Sequence, residues 1–410
     1  MQLIYNLIIQ ITAWLLPLLA LINPKMKLFV QGRKDVFDTL KEKITDQNQM
    51  IWFHVASLGE YEQGLPIMTA IKEKYPNHKL LLTFFSPSGF EVRKNNIVAD
   101  ITLYLPLDTP QNAKRFIQLT HPKMVFFVKY EFWLNFLAEL KKQNIETYLI
   151  SGVFRKNQLF FKSYGGFYKK ALTPFKHFFV QNETSANLLR QIGFENVTVS
   201  GDTRFDRVAD LLKQKHQLDF INTFKGNALL IVAGSTWAKD EDLLVDFINQ
   251  TTFQVKLIIA PHNINPNDIQ QLNNKIKKPT VLYSQQTHDQ LNTAQVLILD
   301  TIGLLTKVYS YANIAYVGGG FGQPGVHNVL EPAVFGMPII IGPNFIRFIE
   351  ATSLVNKGGC IVINNVNELQ NIFNKLIEDD VYCLKIGRVS ESFVKHNTGA
   401  TAHVMKYLAI

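Results

Sequence analysis

The sequence predicts an α/β protein built of two doubly wound parallel-sheet domains facing a cleft, with a hydrophobic helix at the N-terminus. Three observations carry this reading. From residue 50 onward, short apolar runs alternate with helical stretches, as in parallel strands joined by helical crossovers. The pattern runs twice, on either side of a polar stretch. The chain has 410 residues, enough for two ordinary cores. A composition of 47% hydrophobic and 18% charged residues excludes a disordered, collagen-like or low-complexity chain. No repeat of roughly 20–50 residues appears, which excludes a solenoid.

Taken in order, the elements begin with an uncharged run from Met1 to Pro24, followed by Lys25, Lys27, Arg33 and Lys34. Its length is near the ~20 residues that cross a bilayer. Gln2, Asn6, Gln10, Thr12, Pro17 and Asn23 interrupt it, and no positive leader or small-residue cleavage site marks a signal peptide. A spanning anchor, a helix lying in the interface and a helix docked on the protein all remain open. The flanking basic residues favour membrane attachment of segment 1–27 and, if it spans, keep the rest of the chain cytoplasmic.

Residues 51–56, 79–85, 124–129, 147–151, 178–181 and 197–200 read as strands of a first domain over 28–207, with a helix at 61–75. The stretch 208–226, with Lys213, Lys215 and His216, reads as a linker. A second domain over 227–388 carries strands at 228–233, 256–260, 281–283, 296–299, 314–317 and 338–341, and a helix from about 240. A C-terminal helix over 389–410, broken near 397–399, can pack back on the first domain.

Lys+Arg 42 against Asp+Glu 33 leaves a net charge of +9, which suits anionic partners such as phosphates, nucleotides or acidic lipids. Cys360 and Cys383 cannot build a disulfide framework, and no Cys-x-x-Cys metal pair exists. A reducing compartment is the simplest reading.

Ligands of doubly wound sheets bind beyond the carboxyl ends of strands, so the loops there hold the candidate chemistry. In Val55-Ala56-Ser57-Leu58-Gly59-Glu60 the strand ends, Gly59 permits a tight turn and Glu60 opens a helix. Ser57 and Glu60 have the spacing of a capping box. Glu60 is also placed as a general base, and a helix N-terminus favours its ionised form. Ser86-Pro87-Ser88-Gly89 suits a sugar or phosphate, or is simply a capped turn. In Lys129-Tyr130-Glu131-Phe132-Trp133, Lys129 and Glu131 either pair with each other or meet a sugar or lipid headgroup. Between 151 and 170, Arg155, Lys156, Lys162, Lys169 and Lys170 interleave with Phe154, Phe160, Phe161, Tyr164, Phe167 and Tyr168. No nucleic-acid fold signature accompanies this stretch, so an anionic lipid surface is the expected partner and nucleic acid is not.

In the second half, the small residues Gly234, Ser235 and Thr236 end a strand and leave room for a phosphate, or cap the next helix. The strongest signal is Gly318-Gly319-Gly320-Phe321-Gly322-Gln323-Pro324-Gly325-Val326-His327-Asn328, which runs on to Glu331 and Pro332. Gly320, Gly322 and Gly325 match the dinucleotide fingerprint in form, but Pro324 sits inside it and no acidic ribose partner follows. The loop is expected to let a phosphate approach a helix that starts at Asn328. Glu331 then caps that helix or accepts from ribose hydroxyls. Five glycines here exceed what a capped helix alone requires.

Together these segments resemble the 3-deoxy-D-manno-octulosonic acid (Kdo) transferases of lipopolysaccharide synthesis. The matching residues are His54 to Glu60, Lys129 to Trp133, Gly201-Asp202-Thr203-Arg204-Phe205-Asp206, Ala233 to Thr236, Asp300-Thr301-Ile302-Gly303-Leu304-Leu305 and Gly325 to Pro332. The likeness runs in order from about residue 28 to 400. It departs from the family pattern at Pro261-His262-Asn263, at Val326, where the family has a glycine, and at Asp202 and Arg204.

The resemblance implies a GT-B glycosyltransferase of two Rossmann-like domains, attached to the cytoplasmic face of the bacterial inner membrane. It implies transfer of Kdo from CMP-Kdo to the lipid A precursor, with inversion and without a metal or other cofactor. Glu60 falls on the family's base. The donor site falls on Gly234, Ser235, Thr236, His262, Asp300, Gly303, Gly325, His327, Asn328 and Glu331. The acceptor side takes Ser57, Gly59, Ser86, Ser88, Lys129, Glu131 and Arg155. Arg155, Arg204 and His262 are candidates to offset charge on the leaving phosphate. Two alternatives stay open: a GT-B enzyme using a UDP-sugar, either a transferase or an epimerase, and a non-catalytic protein that binds anionic lipid.

Overall fold

The computed structural model describes residues 1–45, 49–214 and 217–409. Residues 46–48, Lys215 and His216 of the expected linker, and Ile410 of the expected C-terminal helix lie outside the described residues. The strands form two all-parallel sheets. The first comprises β1 (Gln49–Val55), β2 (His78–Phe84), β3 (Ile101–Tyr104), β4 (Pro122–Val128), β5 (Glu146–Gly152), β6 (Phe175–Val180) and β7 (Val197–Val199), in the order 3-2-1-4-5-6-7. The second comprises β8 (Leu229–Thr236), β9 (Val255–Pro261), β10 (Thr280–Leu282), β11 (Val296–Ile298), β12 (Ile314–Val317), β13 (Ile339–Ile341) and β14 (Cys360–Val362), in the order 10-11-9-8-12-13-14.

Both sheets are buried on both faces, which is why their strands read as continuous apolar runs. Along β1, Met50 and Trp52 join the core on one face with Phe116, Phe127 and Phe136. Ile51, Phe53 and Val55 join the core on the other with Ile67, Met68 and Ile71. The edge strands β3 and β14 were not expected from sequence. At four and three residues, they are too short to show a period.

The chain divides into two units. The first is 1–207 with 398–410, and the second is 208–397. The helix expected over 389–410 is two helices, Asp380–Asn397 in the second unit and Ala400–Tyr407 in the first. Gly399 turns the chain between them at φ 111°. The Asp206 carboxylate accepts the Gly399 and Thr401 N–H groups at 2.6 Å each, and the Tyr407 ring lies 4.1 Å from that of His177.

At the N-terminus, a helix spans Gln2–Ile22 and a second one Pro24–Gln31, the latter crossing the expected boundary at 27. The Asn23 side chain caps the second helix by accepting the Lys25 and Met26 N–H groups. The first helix is long and apolar enough to cross a membrane, and within it only Leu16 is fully buried.

In each sheet the strand order reverses once beside the first-formed strand, between β1 and β4 and between β8 and β12. At such a point the two flanking crossovers leave on opposite faces and open a crevice at the carboxyl ends. The loops after β1, β4, β8 and β12 are therefore the places to look for chemistry.

Candidate active site

In the first unit, β1 leads through Ala56 and Ser57 into the helix Leu58–Lys74. Ser57 is the N-cap residue, but its hydroxyl makes no cap bond. Glu60 instead reaches back past the N-cap to accept the N–H of Ala56. Glu60 is 7% exposed, and its pKa is pushed up to about 7. Burial is the largest cause and the charge of Glu131 the next. The Ala56 N–H, Lys129 and the Ser57 N–H pull the other way. The sequence suggested that the helix N-terminus would hold Glu60 ionised; burial outweighs it.

The end of β4 brings Glu131 beside β1. Its Oε2 accepts from Trp133 Nε1 at 2.9 Å and lies 3.3 Å from His54 Nε2. His54 is fully buried, and its Nδ1 is 2.9 Å from Thr83 Oγ1, which also accepts from Trp52 Nε1 at 2.8 Å. His54, Thr83 and Trp133 were not among the sequence-derived site residues. Alternation along β1 puts His54 on the same face as Met50 and Trp52, and that was the available signal.

Lys129 does not pair with Glu131. It sits in the left-handed region at φ 72°, its charge acts on Glu60, and its Nζ lies 5.0 Å from the Tyr130 ring centroid. The Arg155 guanidinium lies 5.9 Å from the same ring. A non-glycine residue at such a φ is strained, and strained residues gather at functional sites. Ser235, near the end of β8, is left-handed as well, at φ 54°.

The Ser86 N–H donates to the Ala56 carbonyl, and the Ser86 and Ser88 hydroxyls share a hydrogen bond of 2.8 Å. A Cβ on Gly89 would come within 2.8 Å of the Leu58 nitrogen, so glycine lets this loop close on the β1 turn. Ser57, Gly59, Glu60, Ser86 and Ser88 thus share one end of the sheet with Lys129 and Glu131. A cavity of about 530 Å³ lies beside them, lined by Tyr5, Tyr130, Glu131, Trp133, Phe160 and Tyr168 among others. The basic and aromatic stretch after 151 divides. Phe154, Phe160 and Phe161 pack on the first unit's core, while Lys156, Lys162, Tyr164, Lys169 and Lys170 stay outside. Arg204 is held by Asp202 at 2.7 Å and is not a free cation.

In the second unit, the space above Gly234 is filled. A Cβ there would meet Tyr309 Oη at 2.1 Å and the Leu305 methyls, so this glycine serves packing rather than phosphate access. Neither Ser235 nor Thr236 caps the next helix. Thr236 Oγ1 donates to Glu241, and the helix Ala238–Gln250 starts after Trp237. Asp240, fully buried and unmarked by the sequence, accepts from the Trp237 N–H, the Gly319 N–H and the Tyr316 hydroxyl. It ties the glycine loop to the start of that helix.

The loop itself is explained by packing more fully than expected. A Cβ on Gly318 would meet the Ser235 carbonyl at 2.4 Å, and one on Gly320 would meet Gly342 at 2.7 Å. Gly319 and Gly325 have φ of 91° and 82°. The helix expected from Asn328 is one turn, Leu330–Ala333. Asn328 donates to Glu331, whose other oxygen accepts from Thr306 at 2.9 Å.

Trp237, His262 and His327 form a stack. His262 lies 4.8 Å from Trp237 and 4.4 Å from His327, and Trp237 Nε1 donates to His327 Nε2 at 3.0 Å. Burial, then the neighbouring His262, lowers the His327 pKa to about 4, and burial lowers that of His262. Burial thus disfavours the charged form of His262, which weighs against its expected part as a cation for a leaving phosphate. Asp300 is two strands from β8 and holds Ser284 through both its N–H and hydroxyl. Gly303 lies in open space at φ 96°. Among the described residues, no three His, Cys, Asp or Glu side chains gather as a metal site.

Two parallel-sheet Rossmann-like units, each with candidate residues at its switch point, define a GT-B fold. The fold is shared with UDP-GlcNAc 2-epimerase from Neisseria meningitidis (TM-score 0.60, 14% identity, 88% of this chain and 100% of that one). It is shared also with Acinetobacter baumannii MurG (TM-score 0.55, 13% identity, 88% and 99%). Within that class, the chain is similar to the Kdo transferases. Residues 32–207 match the family model described as 3-deoxy-D-manno-octulosonic-acid transferase. The chain is 28% identical to the 3-deoxy-D-manno-octulosonic acid transferase of Aquifex aeolicus over 343 residues, 82% of this chain and 88% of that protein. It is 25% identical to the one from Haemophilus influenzae over 375 residues, 88% and 86%.

Proposed function

We propose that the protein transfers Kdo from CMP-Kdo to the lipid A precursor, lipid IVA, in lipopolysaccharide synthesis. The observation that carries the mechanism is Glu60, a buried carboxylate with a pKa near 7 at the first unit's switch point. A base works best with its pKa near the operating pH. Ionised Glu60 takes the proton of an acceptor hydroxyl. The acceptor oxygen attacks the anomeric carbon of Kdo as the bond from that carbon to the phosphate oxygen breaks. CMP leaves with the electron pair, and one displacement inverts the configuration.

The acceptor sugar is assigned to the loops holding Ser57, Gly59, Ser86 and Ser88, with Lys129 and Arg155 beside them for its phosphates. The donor is assigned to the second unit, around the Trp237–His262–His327 stack and Glu331. The family likeness supports this division, and nothing in the chemistry as written requires a metal. The exposed apolar helix Gln2–Ile22 supports attachment to a membrane, and the family likeness supports the cytoplasmic face of the inner membrane.

The test is transfer from CMP-Kdo, generated in situ, to a tetraacylated lipid A precursor by wild type and Glu60→Gln. Product from wild type and a loss of ~10²–10⁴ in rate with the variant is the expected result. Equal rates would remove Glu60 as base. No product from folded wild type, together with competition by UDP rather than CMP, would turn the assignment to a UDP-sugar enzyme.

A further inference from the structure

A helix of 21 residues that crosses a bilayer puts its two ends about 30 Å apart, on opposite sides of the hydrocarbon. Here both ends are fastened to the same unit. At the N-terminal end, the Tyr5 hydroxyl donates to Asp108 at 2.6 Å. Gln2 donates to Asn135 at 2.9 Å, and Asn135 donates to Asn6 at 3.0 Å. Asp108 is buried and also accepts the Asn135 and Phe136 N–H groups, so the tether reaches the core. Beyond the other end, Phe29 is buried against Phe85, and Arg33 donates to the carbonyls of Leu105 and Phe85 at 2.8 and 2.7 Å. Leu105 and Asp108 are three residues apart in the chain.

Burial along the helix has a period to match. Residues 5, 6, 9, 13, 16 and 20 are partly or fully covered, the spacing of one helical face. The opposite stripe, Leu3, Leu7, Ile11, Trp14 and Leu18, is exposed throughout, with Leu3 at 83% and Trp14 at 70%. Cations stand at both ends. Lys25 and Lys27 are exposed just after the helix, and Lys141 and Lys170 line a cavity of about 610 Å³ with Met1 and Gln2.

From this we infer that the helix Gln2–Ile22 does not span the membrane but lies in one leaflet of an anionic bilayer. Its Leu3–Leu7–Ile11–Trp14–Leu18 stripe enters the acyl region, and both ends stay at the headgroups. The inference rests on the membrane attachment proposed above and specifies its topology. An amphiphilic surface of this kind, apolar with lysines at its margins, binds by buried area plus attraction to anionic headgroups.

The experiment uses the full chain in the membranes of Gram-negative cells, with Cys383→Ser to remove the half-buried native thiol. Asn6→Cys with Asn135→Cys places two thiols where hydrogen-bonded side chains now meet. Oxidation of the membrane fraction is expected to cross-link most of the chain, with a gel shift reversed by reductant. A spanning helix carries Asn6 about 24 Å from the helix end at Ile22, across the hydrocarbon from the rest of the unit, and predicts no cross-link. Independently, a cysteine in a short extension before Met1 is expected to react with an impermeant maleimide only after spheroplasts are lysed. Labelling of intact spheroplasts would overturn the inference. Recovery of the protein in the soluble fraction would instead defeat membrane attachment itself.

Discussion

Glu60→Gln is expected to stabilise the fold at alkaline pH while it slows the reaction. The Glu60 pKa is raised from its ordinary value of 4.5 to about 7 in the folded state. For an acid with a raised pKa, the folded state holds the proton more tightly than the unfolded one. That contribution is complete below about 4.5 and is lost as pH rises through 7. At 1.36 kcal/mol per pKa unit the full loss is roughly 3 kcal/mol. Glu60 is 7% exposed, so solvent screening gives little reason to discount it. Glutamine has no such titration. The Ala56 N–H favours ionised Glu60, and that effect is already contained in the pKa of about 7. For a unit of this size, 1 kcal/mol is worth roughly 2–4 °C in Tm, so 3 kcal/mol is about 6–12 °C. Thermal melts of wild type and Glu60→Gln at pH 4 and pH 8 give the answer. The difference in Tm should move by that amount in favour of the variant between the two. A difference independent of pH would refute both the burial argument and a poised base.

Two further outcomes follow from the same geometry. In Glu131→Gln, loss of the second-largest cause of the raised Glu60 pKa should move the acid limb of kcat/KM to lower pH by about 1, and an unmoved limb would show that the two carboxylates are not coupled. Trp237→Phe keeps the aromatic face against His262 but removes the donor to His327; CMP affinity by calorimetry should fall about five- to tenfold, near 1 kcal/mol, and unchanged affinity would take the stack out of the donor site.

The strands were legible because a strand buried on both faces leaves a continuous apolar run in the sequence, as in β1, β4, β8 and β9. The short edges β3 and β14 leave none. The turns after β1, β4, β8 and β12 were legible because small, hydroxylated or charged residues interrupt those runs. Their meaning was less so. Gly234 looked like an opening for phosphate and is a seat for Tyr309, 75 positions along the chain. Ser57 looked like a cap and makes no cap bond, while Glu60 reaches back to the Ala56 N–H. Asp240 looked like one more acid in a helix and is the residue that pins the glycine loop.

By itself the sequence determined the α/β class, the paired parallel sheets and the strand ends at which the chemistry gathers. It also determined the apolar character of the first helix. All of these follow from neighbours a few residues apart, through backbone preference and period. Tertiary structure alone decided that the Glu60 pKa rises to about 7, that burial lowers those of His262 and His327, and that Tyr5 is held by Asp108, 103 residues away. Desolvation and Coulomb interaction depend on distance in space, and chain order does not encode that distance.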